Sequence, residues 1–170
     1  MPTTRRSALG MIGAGAVIAA TGCAKRLVTS VPSTTPSADL PYLTLTDVSR
    51  RIQSRELSPV DLTQRMLDRI AAVDSRLKSF ATVMRDEALA AARAADQEIR
   101  GGKYRGPLHG VPVGVKDLCY TKGVRTMGGT KVRENFVPDF DATVVARLRD
   151  AGAVLLGKLS RYDEAIPLLE

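Results

Sequence analysis

Gly106-Pro107-Leu108-His109-Gly110-Val111-Pro112-Val113-Gly114-Val115-Lys116-Asp117 lies in the second half of a 170-residue chain. Val111, Val113 and Val115 alternate, so they share one side of an extended strand while Pro112, Gly114 and Lys116 take the other. Upstream, the Ala-rich run Asp86 to Arg100 reads as a helix closing on Gly101-Gly102, and Phe80 to Met84 as a short strand. Before those, Ser58-Pro59-Val60-Asp61 combines a capping Ser, Pro at the first helical position and an acid in the first turn. Leu62, Met66, Ile70 and Val73 then mark one helical face. Leu43 to Glu56 predicts another helix, capped by Thr44, with Leu45, Val48 and Ile52 at helical spacing. Downstream, Asp141 to Asp150 predicts a helix with Asp141 as its cap and Gly152 at its end, and Ala153 to Leu156 a buried strand. Helices alternating with short buried strands predict an α/β layered fold.

Composition narrows the function classes. Hydrophobic residues make up 44% of the chain, enough for a core, but aromatics only 4% with no Trp, so packing must rest on Ala, Val, Leu and Ile. Net charge is +7, yet past Pro41 the basic residues are interspersed with acids and no aromatic stacking platform accompanies them. That argues for a solvated mixed surface and against nucleic acid as a partner. Cys23 and Cys119 are not a metal-spaced pair, and the single His109 cannot complete a Cys/His cluster, so no metal or cofactor is expected. The two cysteines could pair in an oxidising compartment. His109, in the turn before the valine strand, reads as structural rather than catalytic.

Residues 1–23 read as an export signal. Arg5-Arg6 precede an uncharged run from Leu9 to Ala20, too short to cross a bilayer, where ~20 apolar residues are needed. Paired arginines before a weakly hydrophobic Gly/Ala-rich core suggest the twin-arginine route. Ala20-Thr21-Gly22-Cys23 resembles a lipobox, with Ala where Leu is more usual, so Cys23 is the expected lipidation site and a membrane the expected partner. Cleavage with Cys23 incidental is the alternative. Residues 24–41 read as a Ser/Thr/Pro-rich linker, so the folded part, 42–170, is expected to begin near Tyr42. The location these signals lead one to expect is the bacterial periplasm or cell envelope.

The segment from Gly106 to Asp117 resembles the lysine motif of the amidase-signature family almost position for position. The resemblance continues through Thr121-Lys122-Gly123-Val124-Arg125-Thr126, Gly128-Gly129-Thr130, Asp139-Phe140-Asp141-Ala142-Thr143-Val144-Val145 and Ala151-Gly152-Ala153-Val154-Leu155-Leu156-Gly157-Lys158. Ser58 to Leu62 and Ala88 to Ala92 match its leading helices, so the likeness covers about Leu43 to Leu159. It implies the N-terminal part of the amidase-signature fold, a mixed sheet covered by helices and incomplete in this chain.

The chemistry implied is hydrolysis of a small-molecule amide by a Ser–cis-Ser–Lys arrangement, with Lys116 as the general base. An ordinary lysine titrates near ~10.4 and becomes a base only where burial and neighbours lower that value. Gly114, two residues back on the same face, would let such a lysine approach a pocket unobstructed. Gly128, Gly129 and Thr130 lack the spacing and lysine of a phosphate loop and are the expected substrate-binding turn. Asp117 is expected to cap or brace the turn after the strand, and Cys119 to be a small buried residue. Both family serines lie in a Gly/Ser-rich stretch beyond the equivalent of Lys158. After Leu159 this chain reads Ser160-Arg161-Tyr162-Asp163-Glu164-Ala165-Ile166-Pro167-Leu168-Leu169-Glu170 and departs from that pattern. It therefore carries only the lysine and is expected to be a truncated enzyme, inactive alone. Two further readings stand beside this one: a non-catalytic exported lipoprotein, and a component of a tRNA-dependent amidotransferase, against which the export signal argues.

Overall fold

The computed structural model describes residues 40–160. The export signal, the lipidation site Cys23, nearly all of the Ser/Thr/Pro-rich linker and residues 161–170 lie outside the described residues.

The described part opens with a short 3-10 turn, Leu40–Tyr42, and its Leu40 side chain is already buried in the core. Helix α1, Leu45–Gln53, follows the Thr44 cap, whose hydroxyl oxygen accepts the Asp47 N–H at 3.1 Å. Helix α2, Pro59–Leu77, starts as its sequence dictates: Ser58 Oγ accepts the Val60 N–H, and Pro59, which has no N–H to satisfy, takes the first position. Strand β1, Phe80–Val83, leads straight into helix α3, Arg85–Arg100. Strand β2, Pro112–Lys116, is followed by a long irregular segment, helix α4, Thr143–Asp150, and strand β3, Val154–Leu159.

The three strands form one mixed sheet in the order β1-β3-β2, with β3 central, antiparallel to β1 and parallel to β2. Alternation along β3 sends its side chains to two different layers. Val154 and Leu156 pack with Leu67 of α2 and with Ala88 and Ala92 of α3. Leu155 packs on the other side with Val115, Met84 and Val145 of α4. A third cluster, including Leu40, Ile52, Leu62, Ile99 and Val111, ties α1, α2 and α3 to the start of β2. The scarcity of aromatics shows directly: Ala88 and Ala92 let α3 lie close on the sheet.

Two sequence expectations are corrected. Asp141 does not cap α4, because the cap position falls on Ala142 and makes no side-chain bond. Asp141 Oδ1 instead accepts the Lys122 N–H at 2.7 Å, and Oδ2 pairs with Arg149 at 3.0 Å. The last strand does not stop at Leu156 but runs on through Gly157 and Lys158 to Leu159. A bulge makes that extension consequential. Val113 pairs with Leu155 and Gly114 with Gly157, so β3 carries one extra residue there. Lys158 thereby lands opposite Val115 and joins Leu155 on the α4 side of the sheet.

Candidate active site

Lys116 ends β2 and is half-buried. Its ammonium donates to the Ser160 carbonyl, just past the end of β3. Ser160 is itself held at the end of α2, its hydroxyl donating to the Lys78 carbonyl and its N–H to the Ser79 carbonyl at 2.8 Å. Lys116 thus sits beside the central strand at the point where the chain leaves it. The space above Gly114 is not open as the sequence suggested. A methyl group on Gly114 would meet Leu159 Cδ2 at 2.9 Å, so the Leu159 side chain fills the gap behind the lysine.

Asp117 is buried and braces the turn as expected. Its Oδ2 accepts the Met127 N–H at 3.1 Å and the Gly128 N–H at 3.2 Å, pulling residues 127–128 back against the end of β2. Gly128 and Gly129 follow one another at φ +62° and +70°, a left-handed pair that residues with a Cβ rarely adopt. Thr130 caps a short 3-10 turn, Lys131–Arg133, with its hydroxyl oxygen accepting the Val132 N–H. The three sequence-proposed substrate residues therefore form a turn anchored next to Lys116 through Asp117. Within that turn the Gly128 N–H is already engaged by Asp117.

A residue to which the sequence assigned no role is the largest fully buried side chain nearby. Lys158 is fully buried. Its ammonium donates to the Cys119 carbonyl, to Thr121 Oγ1 at 3.1 Å and to Thr126 Oγ1 at 2.9 Å, with Asp117 Oδ1 at 4.0 Å. Burial holds its titration below the ordinary lysine value, and the Asp117 carboxylate pulls the other way. A lysine two places after a Val-Leu-Leu run was the available signal, legible only once the strand is known to continue. Cys119 is half-buried against the Val115–Val145 cluster.

His109 lies away from Lys116, in the turn before β2, among charged partners. It is buried, its Nδ1 accepts the Arg105 N–H at 3.1 Å, and its Nε2 lies 3.3 Å from Glu98. Arg105 also grips Glu98 directly, at 2.6 and 2.7 Å. That guanidinium, with Lys103 behind it, holds the Glu98 carboxyl down at about 2. Burial pushes His109 below 6.5, partly offset by Glu98. Both groups bind protons more weakly folded than unfolded, so each stabilises the fold above its unfolded value and loses that contribution as pH falls. The chain has a single histidine. Its melting temperature is therefore expected to fall as pH drops below 6.5, and again below 4.5 as Glu98 is protonated. A His109→Gln variant should flatten the first fall and leave the second. An unaltered first fall would assign it elsewhere.

Among the described residues no group of three or more His, Cys, Asp or Glu side chains is placed to hold a metal, and no helix is long and apolar enough to cross a membrane.

Comparison with known proteins adds to this geometry. Residues 61–165 match the family model described as Amidase. AmiD of Mycobacterium tuberculosis (strain ATCC 25618 / H37Rv), a protein assigned to the amidases, is 50% identical over 136 residues, covering 80% of this chain and 29% of its own length. A glutamyl-tRNA(Gln) amidotransferase polypeptide of Geobacter sulfurreducens is 49% identical over 124 residues, covering 73% of this chain and 25% of its own. Among solved structures, the native peptide amidase of Stenotrophomonas maltophilia aligns with a TM-score of 0.66 at 42% identity, over 71% of this chain and 25% of that one. The chain thus spans less than a third of the length of the relatives it matches.

Proposed function

The chain belongs to the amidase-signature family, and from that premise we propose that it is part of a hydrolase cleaving a carboxamide C–N bond, with Lys116 as the general base. The observation that supports this most is the placement of Lys116. It ends a parallel strand beside the central one, half-buried, and its ammonium reaches the residue that follows β3. In the amidase-signature arrangement both serines lie in a Gly/Ser-rich stretch beyond the equivalent of Lys158, the strand residue that precedes Leu159 and Ser160 here. There the neutral lysine takes the proton of the nucleophilic serine through a cis-configured serine, so that the serine oxygen attacks the amide carbonyl. Ammonia or an amine leaves, and water then releases the carboxylic acid from the acyl-enzyme. The Asp117-anchored turn at Gly128, Gly129 and Thr130 forms one wall of the substrate pocket.

A polypeptide limited to residues 1–170 carries Lys116 without a Gly/Ser-rich stretch after Lys158, and such a piece is expected to release no ammonia from simple aliphatic or aryl amides. Fused to the remaining part of the M. tuberculosis relative it should do so, and Lys116→Ala should lower the rate by about a hundredfold or more, the usual scale of a lost general base. Hydrolysis that survives Lys116→Ala would remove Lys116 from this role.

A further inference from the structure

Lys158 occupies a position that packing alone would give to an apolar side chain. It lies opposite Val115, on the side of the sheet lined by Leu155, Val145 and Met84, with none of its surface exposed. Burying an ammonium costs several kcal/mol unless its hydrogen bonds and its charge are answered there. Here both are. Its three N–H groups have three acceptors: the Cys119 carbonyl, Thr121 Oγ1 and Thr126 Oγ1. The two hydroxyls turn their own hydrogens away, Thr121 to the Cys119 carbonyl and Thr126 to the Val124 carbonyl, which leaves their oxygens free to accept. Asp117 supplies the counter-charge at 4.0 Å through Oδ1, an atom buried with no hydrogen bond of its own among the described residues.

All of these partners fall between residues 117 and 126, the one loop that begins immediately after Lys116. Asp117 is shared: one oxygen faces Lys158, and the other holds the Met127 and Gly128 N–H groups. We propose that Lys158 is a positioning residue whose buried ammonium pins the 117–126 loop to the central strand, and through Asp117 sets the Gly128 turn beside Lys116. Lys158 touches no reacting atom in this scheme. Its side chain lies on the opposite side of the sheet from Lys116, because Lys158 pairs with Val115 while Lys116 pairs with Leu159. The catalytic consequence rests on the amidase reading; the geometry does not.

The test uses the 170-residue chain with Lys158→Met, which keeps length and volume but removes the ammonium, and with the milder Thr126→Val. Hydrogen exchange at the Met127 and Gly128 amides is expected to quicken about tenfold in the first variant and less in the second, while α2 and α3 stay as in the parent. Acetylation of Lys116 by acetic anhydride, read by mass spectrometry against the exposed Lys78, should rise about threefold or more in Lys158→Met, with unchanged exchange in α2 and α3 excluding a general loss of packing. If Lys158→Met does not fold, Thr126→Val decides. No protection of those two amides in the parent chain, unchanged exchange in the variants, an equal rise across α2 and α3, or an unaltered Lys116 labelling ratio would each overturn the proposal. Failure of the fused enzyme to release ammonia with Lys116 intact would instead remove the amidase reading and leave the exchange result standing.

Discussion

Gly157→Ala is expected to cost about 3 kcal/mol or more, enough to lower the melting temperature by roughly 10 °C in a chain of this size. The reason is backbone, which cannot swing aside as a side chain can. A Cβ on Gly157 would stand 2.2 Å from the Thr82 carbonyl oxygen and 3.1 Å from Val83 Cα, both on the adjacent strand β1. Relief requires β1 to move away from β3, which breaks the pairing of Thr82 with Lys158 and of Val83 with Gly157. It also loosens Met84, whose N–H donates to the Leu156 carbonyl at 2.8 Å and whose side chain is buried with Val115 and Val145. Thermal melts of the parent and variant decide the matter, and a variant within about 2 °C of the parent would show that β1 yields without loss. Soluble yield should fall in the same direction.

The same glycine explains what the sequence could and could not convey. Local signals were strong wherever one residue answers one backbone need: Ser58 with Pro59 at the start of α2, Thr44 before α1, the valines of β2. They misled where a polar side chain found a distant partner better than the nearby helix end. Asp141 is such a case, spent on the Lys122 N–H and the Arg149 guanidinium rather than on the backbone N–H groups that open α4. The end of β3 was hidden for a different reason. Gly and Lys after Leu156 look like a strand exit, because a one-residue bulge and a lysine with all its donors answered leave no local trace. At the candidate site, Lys116 and the Gly128–Thr130 turn were legible as a motif. Their connection through Asp117 and Lys158 was not, since it joins residues 10 to 41 apart in sequence through one buried carboxylate and one buried ammonium.

Gly152→Ala should destabilise by about 2–4 kcal/mol, and a second substitution can separate its two causes. Gly152 has φ +79°, where a residue with a Cβ is strained by about 1–2 kcal/mol whatever its surroundings. Its surroundings are also closed: a Cβ would lie 2.3 Å from His109 Cδ2 and 3.1 Å from Cγ and Nε2. The ring is held by the Arg105 N–H on one side and Glu98 on the other, and the Gly152 carbonyl accepts the Gly110 N–H at 2.9 Å, so neither partner retreats easily. His109→Ala removes the obstacle but empties a buried site, and on its own should destabilise too. In the double variant Gly152→Ala/His109→Ala the steric part vanishes, so the combined loss should fall short of the two single losses added together by about 1 kcal/mol or more. Additive losses would mean that the backbone conformation alone disfavours a side chain at 152, and that His109 moves aside more readily than its contacts with Arg105 and Glu98 imply.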